Sequence, residues 1–157
     1  AYIGLASNLG DRQGTLQRAV SALGQIPQTQ VLRCSSLYRS VAAEGAAGSG
    51  DFLNAVAEIA STLDADALLT HLQAIELAAG RQRPYRHAPR TLDLDILLFG
   101  QQRIDNAPRL IVPHPRLWER DFVYIPLLEL LPNLANNQQP GFSPQNTCEI
   151  HSKNWAQ

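Results

Sequence analysis

The sequence predicts a single α+β domain in which strands and helices follow the order β-α-β-β-α-β. Two segments have the 3.6-residue period of an amphipathic helix. Each of them lies between two strand-like segments, which show either a short apolar run or a two-residue period. A Gly-rich segment separates the second and third strands, and an Arg-rich segment precedes the fourth. The 157 residues suffice for one domain with its own core, so we expect a single domain over 1–157.

The first half of the chain provides three of the strands and one helix. Gly24 and Pro27 are expected to end that helix, and Phe52, Asn54 and Val56 share one face of the third strand. The small, Gly-rich loop is predicted to be mobile. The predicted elements are, in order, strand 2–7, helix 11–23, strand 31–40, loop 42–51 and strand 52–62.

The second half continues with a helix capped by Asp64 and ended by Gly80, whose core face carries Leu68, Leu69, Leu72 and Ile75. The predicted elements are helix 65–79, loop 81–90, strand 92–99, a hairpin within 100–113 and helical segments within 116–132 that Pro126 breaks. The polar segment 132–157 is expected to be peripheral. This order is the ferredoxin-like arrangement, an antiparallel sheet here with helices on both sides and a C-terminal helical extension.

Composition excludes several classes of protein. The net charge of −1 argues against a nonspecific nucleic-acid binder, and no uncharged apolar run approaches the length of a membrane span. Cys34 and Cys148 match no metal or redox spacing and favour reduced thiols in a cytoplasmic protein. We therefore expect a cytoplasmic protein that binds neither nucleic acid nor membrane. We also expect a monomer.

Arginines cluster in one part of the chain. Between residues 81 and 120 there are eight arginines and four acids, a local charge of +4, whereas the only lysine is Lys153. The guanidinium group offers a rigid fork matched to phosphate and carboxylate oxygens. Genomic base composition can explain arginine in place of lysine, but it does not explain the clustering. The cluster predicts an anionic ligand.

The strand "RTLDLDILLF" carries two carboxylates, Asp93 and Asp95. Side chains two positions apart in a strand point the same way, about 7 Å apart. Two like charges at that distance are unfavourable unless a cation or arginines lie between them. Oxygen ligands that leave coordination positions free suit Mg²⁺, which takes the rest from water and substrate phosphates. Solvated acids on an edge strand, or acids paired with the flanking arginines, are the alternatives.

Other polar and aromatic residues are candidates for ligand contacts. Glu76 lies near the C-terminal end of its helix, where a negative charge is unfavourable. Its side chain either contacts a ligand or is solvated. His114 is a base, a nucleotide contact or a cap. Phe52 and Phe122 could flank a flat heterocycle whose amide edge Asn54 reads, or they could belong to the core. The chain has no Walker A phosphate loop, so metal and guanidinium groups must hold any polyphosphate.

A set of motifs then resembles a known family. "SNLG", "SSLYRS", "DFLNAV", "IELAAGRQR", "APRTLDLDILLFG" and "VPHPRLWERDF", in that order over about residues 2–132, resemble 6-hydroxymethyl-7,8-dihydropterin pyrophosphokinases of folate biosynthesis. The resemblance implies transfer of pyrophosphate from ATP to the pterin hydroxymethyl group, with release of AMP and two Mg²⁺ ions as cofactors.

The resemblance also implies roles for individual residues. The implied metal ligands are Asp93 and Asp95, and the implied catalytic residues are Arg81, Arg83, Arg90 and Asp95. The implied ATP contacts are Glu76, Arg81, Arg83, Arg90, Arg109, His114 and Arg120. The implied pterin contacts are Ser40, Val41, Phe52, Asn54 and Phe122. Positions that depart from the family pattern are Ala6, Val41, Ala42, His87 and Pro115.

Two other functions fit the fold and the carboxylates. A metal-dependent phosphoryl or nucleotidyl transferase, as in polymerase palms, also holds two ions on strand carboxylates, although the chain lacks the basic face of a nucleic-acid enzyme. A noncatalytic ferredoxin-like module that senses a small molecule is the third possibility. Release of AMP in the presence of pterin separates these functions.

Overall fold

The computed structural model describes residues 1–7, 12–40, 52–80, 92–117, 121–133, 148–152 and 155, with the backbone alone at 40, 121 and 148–152. Its strands are β1 (Tyr2–Ser7), β2 (Thr29–Cys34), β3 (Leu37–Ser40), β4 (Phe52–Ser61), β5 (Asp93–Leu98), β6 (Ile104–Asn106), β7 (Leu110–Val112) and β8 (Cys148–Ser152). Its helices are α1 (Arg12–Gln25), α2 (Ala65–Ala79) and α3 (Asp121–Leu130).

The main sheet is antiparallel and has six strands. Its order is β5-β1-β4-β3-β8, and β2 also pairs with β4, while β6 and β7 form a separate hairpin. Strand β4 thus lies between β1 and β2, the two strands that α1 connects, and β1 lies between β4 and β5, the two that α2 connects. The predicted α+β class is confirmed.

The two faces of the sheet bury different helices. On one face, Leu16 and Leu23 of α1 and Leu68 and Leu72 of α2 join a core that includes Leu94. On the opposite face, α3 packs Tyr124, Leu127 and Leu130 against Val56 and Leu97. The alternation of β5 therefore sends Leu94 and Ile96 toward α1 and α2, and its two aspartates and Leu97 toward the α3 face.

Helix α2 begins and ends where the sequence predicts. The Asp64 carboxylate accepts a hydrogen bond from Ala67 N at 2.7 Å, and the Gly80 N–H donates to Glu76 O at 2.9 Å. These contacts satisfy backbone groups that the ends of a helix leave free. Helix α1 differs slightly from its prediction, because it continues through Gly24 and ends before Pro27, which cannot continue a helix.

The predicted strand 31–40 is wrong as a single element. It is divided into β2 and β3 at Ser35 and Ser36, although both parts pair with β4. The Ser35 N–H still donates to Val56 O at 2.8 Å, and its hydroxyl accepts from Val56 N at 2.9 Å. Side-chain hydroxyl groups can replace ladder bonds in this way, so the interruption leaves no gap in the hydrogen bonding.

The predicted break at Pro126 is also wrong. Pro126 lies inside the continuous helix α3. Pro126 is the sixth residue of the helix, so the N–H it lacks would have bonded only Phe122 O in the first turn. Leu127 and Leu130, beyond the proline, belong to the same buried cluster as Tyr124. Burial of this apolar side outweighs the one lost hydrogen bond.

Parts of the C-terminal segment that the sequence places at the periphery belong to the fold. Strand β8 pairs with β3, and Trp155 is 4% exposed within the core of α1 and α2. Its indole N–H donates to Ser35 O at 2.9 Å, and Gln17 Nε2 donates to its carbonyl at 2.7 Å. Trp155, from a polar segment remote in sequence, thus provides a hydrogen bond at the break between β2 and β3.

We expect Trp155→Ala to lower the free energy of unfolding by about 3–5 kcal/mol, because it removes a large buried ring and leaves Ser35 O without its donor. Urea unfolding followed by circular dichroism measures this change. Leu77→Ala is the control, since Leu77 is 75% exposed on α2 and should change stability by less than about 0.5 kcal/mol. Equal losses in the two variants would mean that Trp155 does not stabilise the core.

The thiol of Cys34 and the length of the helices bear on two further predictions from the sequence. Cys34 is a free thiol whose pKa burial raises to about 11, so it is mostly protonated at neutral pH. In the part of the chain that the structure describes, no helix has the length and hydropathy needed to cross a membrane. The predicted loops 42–51 and 81–90 lie outside the described residues.

Candidate active site

The two aspartates lie on edge strand β5, on the face that α3 partly covers. Asp93 is half-buried and Asp95 is exposed, and Leu97, the next residue on that face, packs against α3. The prediction that both carboxylates share one face is confirmed by this alternation. Helix α3 thus packs against the Leu97 end of the strand.

Strand register places Asn54 in the same row as Asp93. Asp93 pairs with Ala6 of β1, and Ala6 pairs in turn with Asn54 of β4. Two strand spacings, about 10 Å, therefore separate the carboxylate from the amide. The residue between them is alanine, whose side chain is small. The row brings together a carboxylate and an amide group that can both donate and accept hydrogen bonds.

The two candidate aromatic residues border the same face. Phe52 begins β4 two residues before Asn54, so both side chains point to the α3 side. Phe122 lies in the first turn of α3. Both rings are half-buried, in contrast to the fully buried residues of the core. The predicted sharing of a face by Phe52, Asn54 and Val56 agrees with the position of Val56 in the α3 cluster.

Glu76 contacts β5 directly. Its Oε2 accepts a hydrogen bond from Leu94 N at 2.8 Å, the backbone amide between the two aspartates. Because β5 is an edge strand, this N–H would otherwise lack a partner in the sheet. The contact gives a reason for a carboxylate near the negative end of α2: it fixes the part of β5 that carries Asp93 and Asp95.

Arg109, predicted as a nucleotide contact, binds the start of α2 in this structure. Its Nε donates to Asp66 Oδ1 at 2.6 Å, and its Nη2 donates to Thr70 Oγ1 at 2.9 Å. The hydrogen bond holds the pKa of Asp66 below its ordinary value and raises the pKa of Arg109. The contact joins the β6–β7 hairpin to α2.

His114 is held beside β5 by its backbone. Its N–H donates to Leu97 O at 3.0 Å, and its Nδ1 accepts from Arg116 N at 3.2 Å. Since Nδ1 accepts, a neutral imidazole carries its proton on Nε2. Nε2 is then the donor of the ring, a role that suits a phosphate oxygen.

Several predicted site residues cannot be placed. Those outside the described residues are Val41, Arg81, Arg83, Arg90 and Arg120, and Ser40 is described by its backbone only, where it pairs with Phe52. The described residues that the structure brings to one face of the sheet are Phe52, Asn54, Asp93, Asp95 and, at the edge of that face, Phe122.

Sequence reasoning missed two residues next to this site. Tyr38 pairs with Asn54 across β3 and β4, and its hydroxyl group donates to Glu129 Oε1 of α3 at 2.6 Å. The alternation of "SSLYRS" indicates on which face of the strand Tyr38 lies, but nothing in the sequence indicates that Glu129 contacts it. Glu129 has the signature of a solvent-facing helical residue.

Comparison with known proteins decides the family. The model of the 7,8-dihydro-6-hydroxymethylpterin-pyrophosphokinase (HPPK) family matches residues 2–132, which include the described site. The chain belongs to the HPPK family. The identification made from the sequence motifs is therefore confirmed, and the protein is an enzyme of the pyrophosphokinase class.

Curated relatives agree with this membership. The chain is similar to the 2-amino-4-hydroxy-6-hydroxymethyldihydropteridine pyrophosphokinase of Pseudomonas aeruginosa, with 46% identity over 85% of this chain and 81% of that protein. The enzymes of the same name from Bacillus subtilis and Haemophilus influenzae are 45% and 42% identical. These matches cover 83% and 86% of this chain, and 77% and 83% of those proteins. The family model covers every strand that the structure describes except β8.

Proposed function

We propose that this HPPK transfers the pyrophosphoryl group of ATP to the hydroxymethyl oxygen of 6-hydroxymethyl-7,8-dihydropterin, as a cytoplasmic, monomeric enzyme of folate biosynthesis. The observation that carries the proposal is the row of Asp93, Ala6 and Asn54 on one face of the sheet. In this row, a carboxylate that would bind a cation lies about 10 Å from an amide that would hydrogen-bond the heterocycle. This separation suits a pterin whose hydroxymethyl group faces a polyphosphate.

Asp93 and Asp95 are the residues that would hold the Mg²⁺ ions. Among the described residues no group of three or more His, Cys, Asp or Glu side chains is placed to bind a metal. A pair of carboxylates that leaves the remaining ligands to water and phosphate suits Mg²⁺. Two bound Mg²⁺ ions would neutralise phosphate charge and orient the phosphate chain.

Asn54 would orient the pterin. Its amide both donates and accepts, which matches the alternating donors and acceptors on the amide edge of the pterin ring. Phe52 and Phe122 would stack on the two faces of that ring, and Ser40 and Val41 would border its pocket through the backbone. This placement leaves the hydroxymethyl group free to point toward β5.

The transfer step exchanges one P–O bond for another. The pterin hydroxymethyl oxygen forms a bond to the β-phosphorus as the bond from that phosphorus to the α-phosphate bridging oxygen breaks, and AMP leaves with the bridging oxygen. The hydroxyl proton is released, and Asp95 is the carboxylate we propose to accept it. Arg81, Arg83 and Arg90 would stabilise the charge on the transferred group.

The other predicted residues would hold the nucleotide. His114 would donate from Nε2 to a phosphate, and Arg109 and Arg120 would contribute further charge. Glu76 would contact the nucleotide while it holds Leu94, since a carboxylate has more than one acceptor position. The contacts that support these roles are the placement of His114 beside β5 and the bond from Leu94 to Glu76.

We expect AMP release from Mg·ATP only when the hydroxymethyl dihydropterin is present, in a one-to-one ratio with pterin diphosphate. ATP labelled with ³²P at the β position and ATP labelled at the γ position should both label the pterin, because both phosphates move together. Chromatography of the products measures the transfer. Label from the γ position alone, with release of ADP, would contradict the proposal. Saturable pterin binding without AMP would identify a noncatalytic binding module.

A further inference from the structure

The C-terminal turn of α3 is fixed to β3 by one carboxylate. Glu129 Oε1 accepts from the Tyr38 hydroxyl group at 2.6 Å, and both carboxylate oxygens lie 3.0 Å from Ser36 N. Oε2 also accepts from the Ser36 hydroxyl group at 3.1 Å. We call Ser36, Tyr38 and Glu129 the Glu129 cluster. Its hydrogen bonds are charge-assisted, which makes them stronger and more directional than bonds between neutral groups.

The position of Glu129 near the end of its helix indicates that the cluster does more than stabilise α3. A negative charge in the last turn faces the negative end of the helix dipole, which disfavours it. Three donors from Ser36 and Tyr38 offset this disadvantage. These hydrogen bonds stabilise the contact between α3 and β3.

Tyr38 links the cluster to Asn54. The two residues are direct partners of antiparallel strands, so their side chains lie on the same face with Cβ atoms about 5 Å apart. Tyr38 is 6% exposed and Asn54 1% exposed. The Tyr38 ring therefore forms a wall beside the Asn54 amide, and the bond to Glu129 prevents that ring from swinging away.

Helix α3 links the cluster to Phe122. Phe122 precedes Glu129 by seven residues, which is nearly two full turns, so both lie on the same side of the helix about 10.5 Å apart. The apolar contacts of Tyr124 and Leu127 bury area, and the hydrogen bonds of the Glu129 cluster add direction, because apolar attraction by itself is not directional. A bond from Arg33 Nη2 to Leu130 O at 2.9 Å supports the same end of the helix.

We propose that Glu129 is a positioning residue for pterin binding. By holding Ser36 and Tyr38 it sets the register of α3 on the sheet, and so sets Phe122 and the wall beside Asn54 at the spacing that a pterin ring needs. This inference rests on the proposed function, because it takes the space between Phe52, Phe122 and Asn54 as the pterin site. Glu129 itself touches neither substrate.

The test uses Tyr38→Phe, which removes one hydroxyl group and keeps the ring. Loss of one charge-assisted hydrogen bond should raise the KM and Kd for the pterin about 5- to 10-fold, with kcat and the KM for ATP within about twofold of the wild type. Glu129→Ala should raise the pterin KM more than Tyr38→Phe. Glu129→Gln, which keeps one acceptor oxygen, should fall between Glu129→Ala and the wild type.

The chain offers a matched control. The Tyr2 hydroxyl group donates to Glu58 Oε2 at 2.6 Å, the same kind of bond at the same length, in a row of the sheet four residues along β1 from Ala6. Tyr2→Phe should lower stability in the same way and leave the pterin KM unchanged. Steady-state kinetics with each substrate varied, together with fluorescence titration of the pterin, measures the difference.

The outcomes separate the two proposals. Wild-type protein that forms no pterin diphosphate contradicts the proposed function. Active wild-type protein whose Tyr38→Phe and Glu129→Ala variants keep a wild-type pterin KM contradicts the positioning role alone. A lower kcat with equally raised KM values for both substrates, matched by Tyr2→Phe, would also overturn it, because that pattern reflects a general loss of stability.

Discussion

Asp95→Asn should lower kcat for pyrophosphoryl transfer by about 10³-fold or more, since it removes a charged cation ligand and the carboxylate we propose as proton acceptor. Asparagine has nearly the same shape as aspartate, so the packing of β5 should not change. Asp93→Asn should have a comparable effect through metal binding alone. Single-turnover assays at saturating Mg²⁺ and ATP measure the chemical step, and Mg²⁺ titration measures the loss of metal affinity.

The control for these variants is Asp105→Asn. Asp105 is exposed on β6, in the separate hairpin, and its carboxylate is not on the face that carries Asp93 and Asp95. The control should keep wild-type kcat, and all three variants should keep the wild-type circular dichroism spectrum. Turnover retained in both Asp93→Asn and Asp95→Asn would refute the carboxylate metal site. An unchanged pH–rate profile with turnover retained in Asp95→Asn alone would refute its role as proton acceptor.

Asn54→Ala should weaken pterin binding by about 10²- to 10³-fold and leave ATP binding unchanged. A buried amide that hydrogen-bonds its ligand discriminates strongly, because the ligand's polar groups are left unpaired when the amide is removed. Asn54 lies almost fully inside the protein, so bulk water does not readily replace it. Isothermal titration with pterin and with an ATP analogue measures the two affinities separately.

Asn106→Ala provides the comparison, because Asn106 is exposed on β6. It should bind pterin and nucleotide as the wild type does. If Asn54→Ala also bound pterin normally, Asn54 would be a core residue, as the sequence alone allowed. A loss of both affinities together would instead indicate that Asn54 supports the sheet.

Elements with local signals could be predicted from the sequence. The ends of α2 are set by Asp64 and Gly80, and both signals act within four residues. The alternation of "LDLDI" likewise determines which side chains of β5 share a face. In each case the contact partner is close in sequence, so the pattern contains the information.

Elements whose partners are remote in sequence could not be predicted. The division between β2 and β3 depends on contacts from Ser35 to Val56 and Trp155. Strand β8 pairs with the side of β3 opposite to β4. The C-terminal segment has the polar composition of a loop, and composition does not reveal an edge available elsewhere in the fold.

The same limit applies to the candidate site. The carboxylate pair and the aromatic residues could be identified as candidates from residue type and motif. The row from Asp93 to Asn54 requires the pairing register of three strands, which no local pattern specifies. Glu129 could not be identified, because a glutamate on the exposed side of a helix is ordinary and only its contact with Tyr38 distinguishes it.

The proposed site in the row through Ala6 also has a consequence for folding. Its three members come from β1, β4 and β5, which are separated by about 50 and 40 residues of chain. Contacts between such distant segments form slowly, because the entropy of closing the intervening loops is lost before the contacts stabilise the chain. A chain with its helices formed but its central strand unpaired lacks the site we propose, so recovered turnover should report the completed sheet.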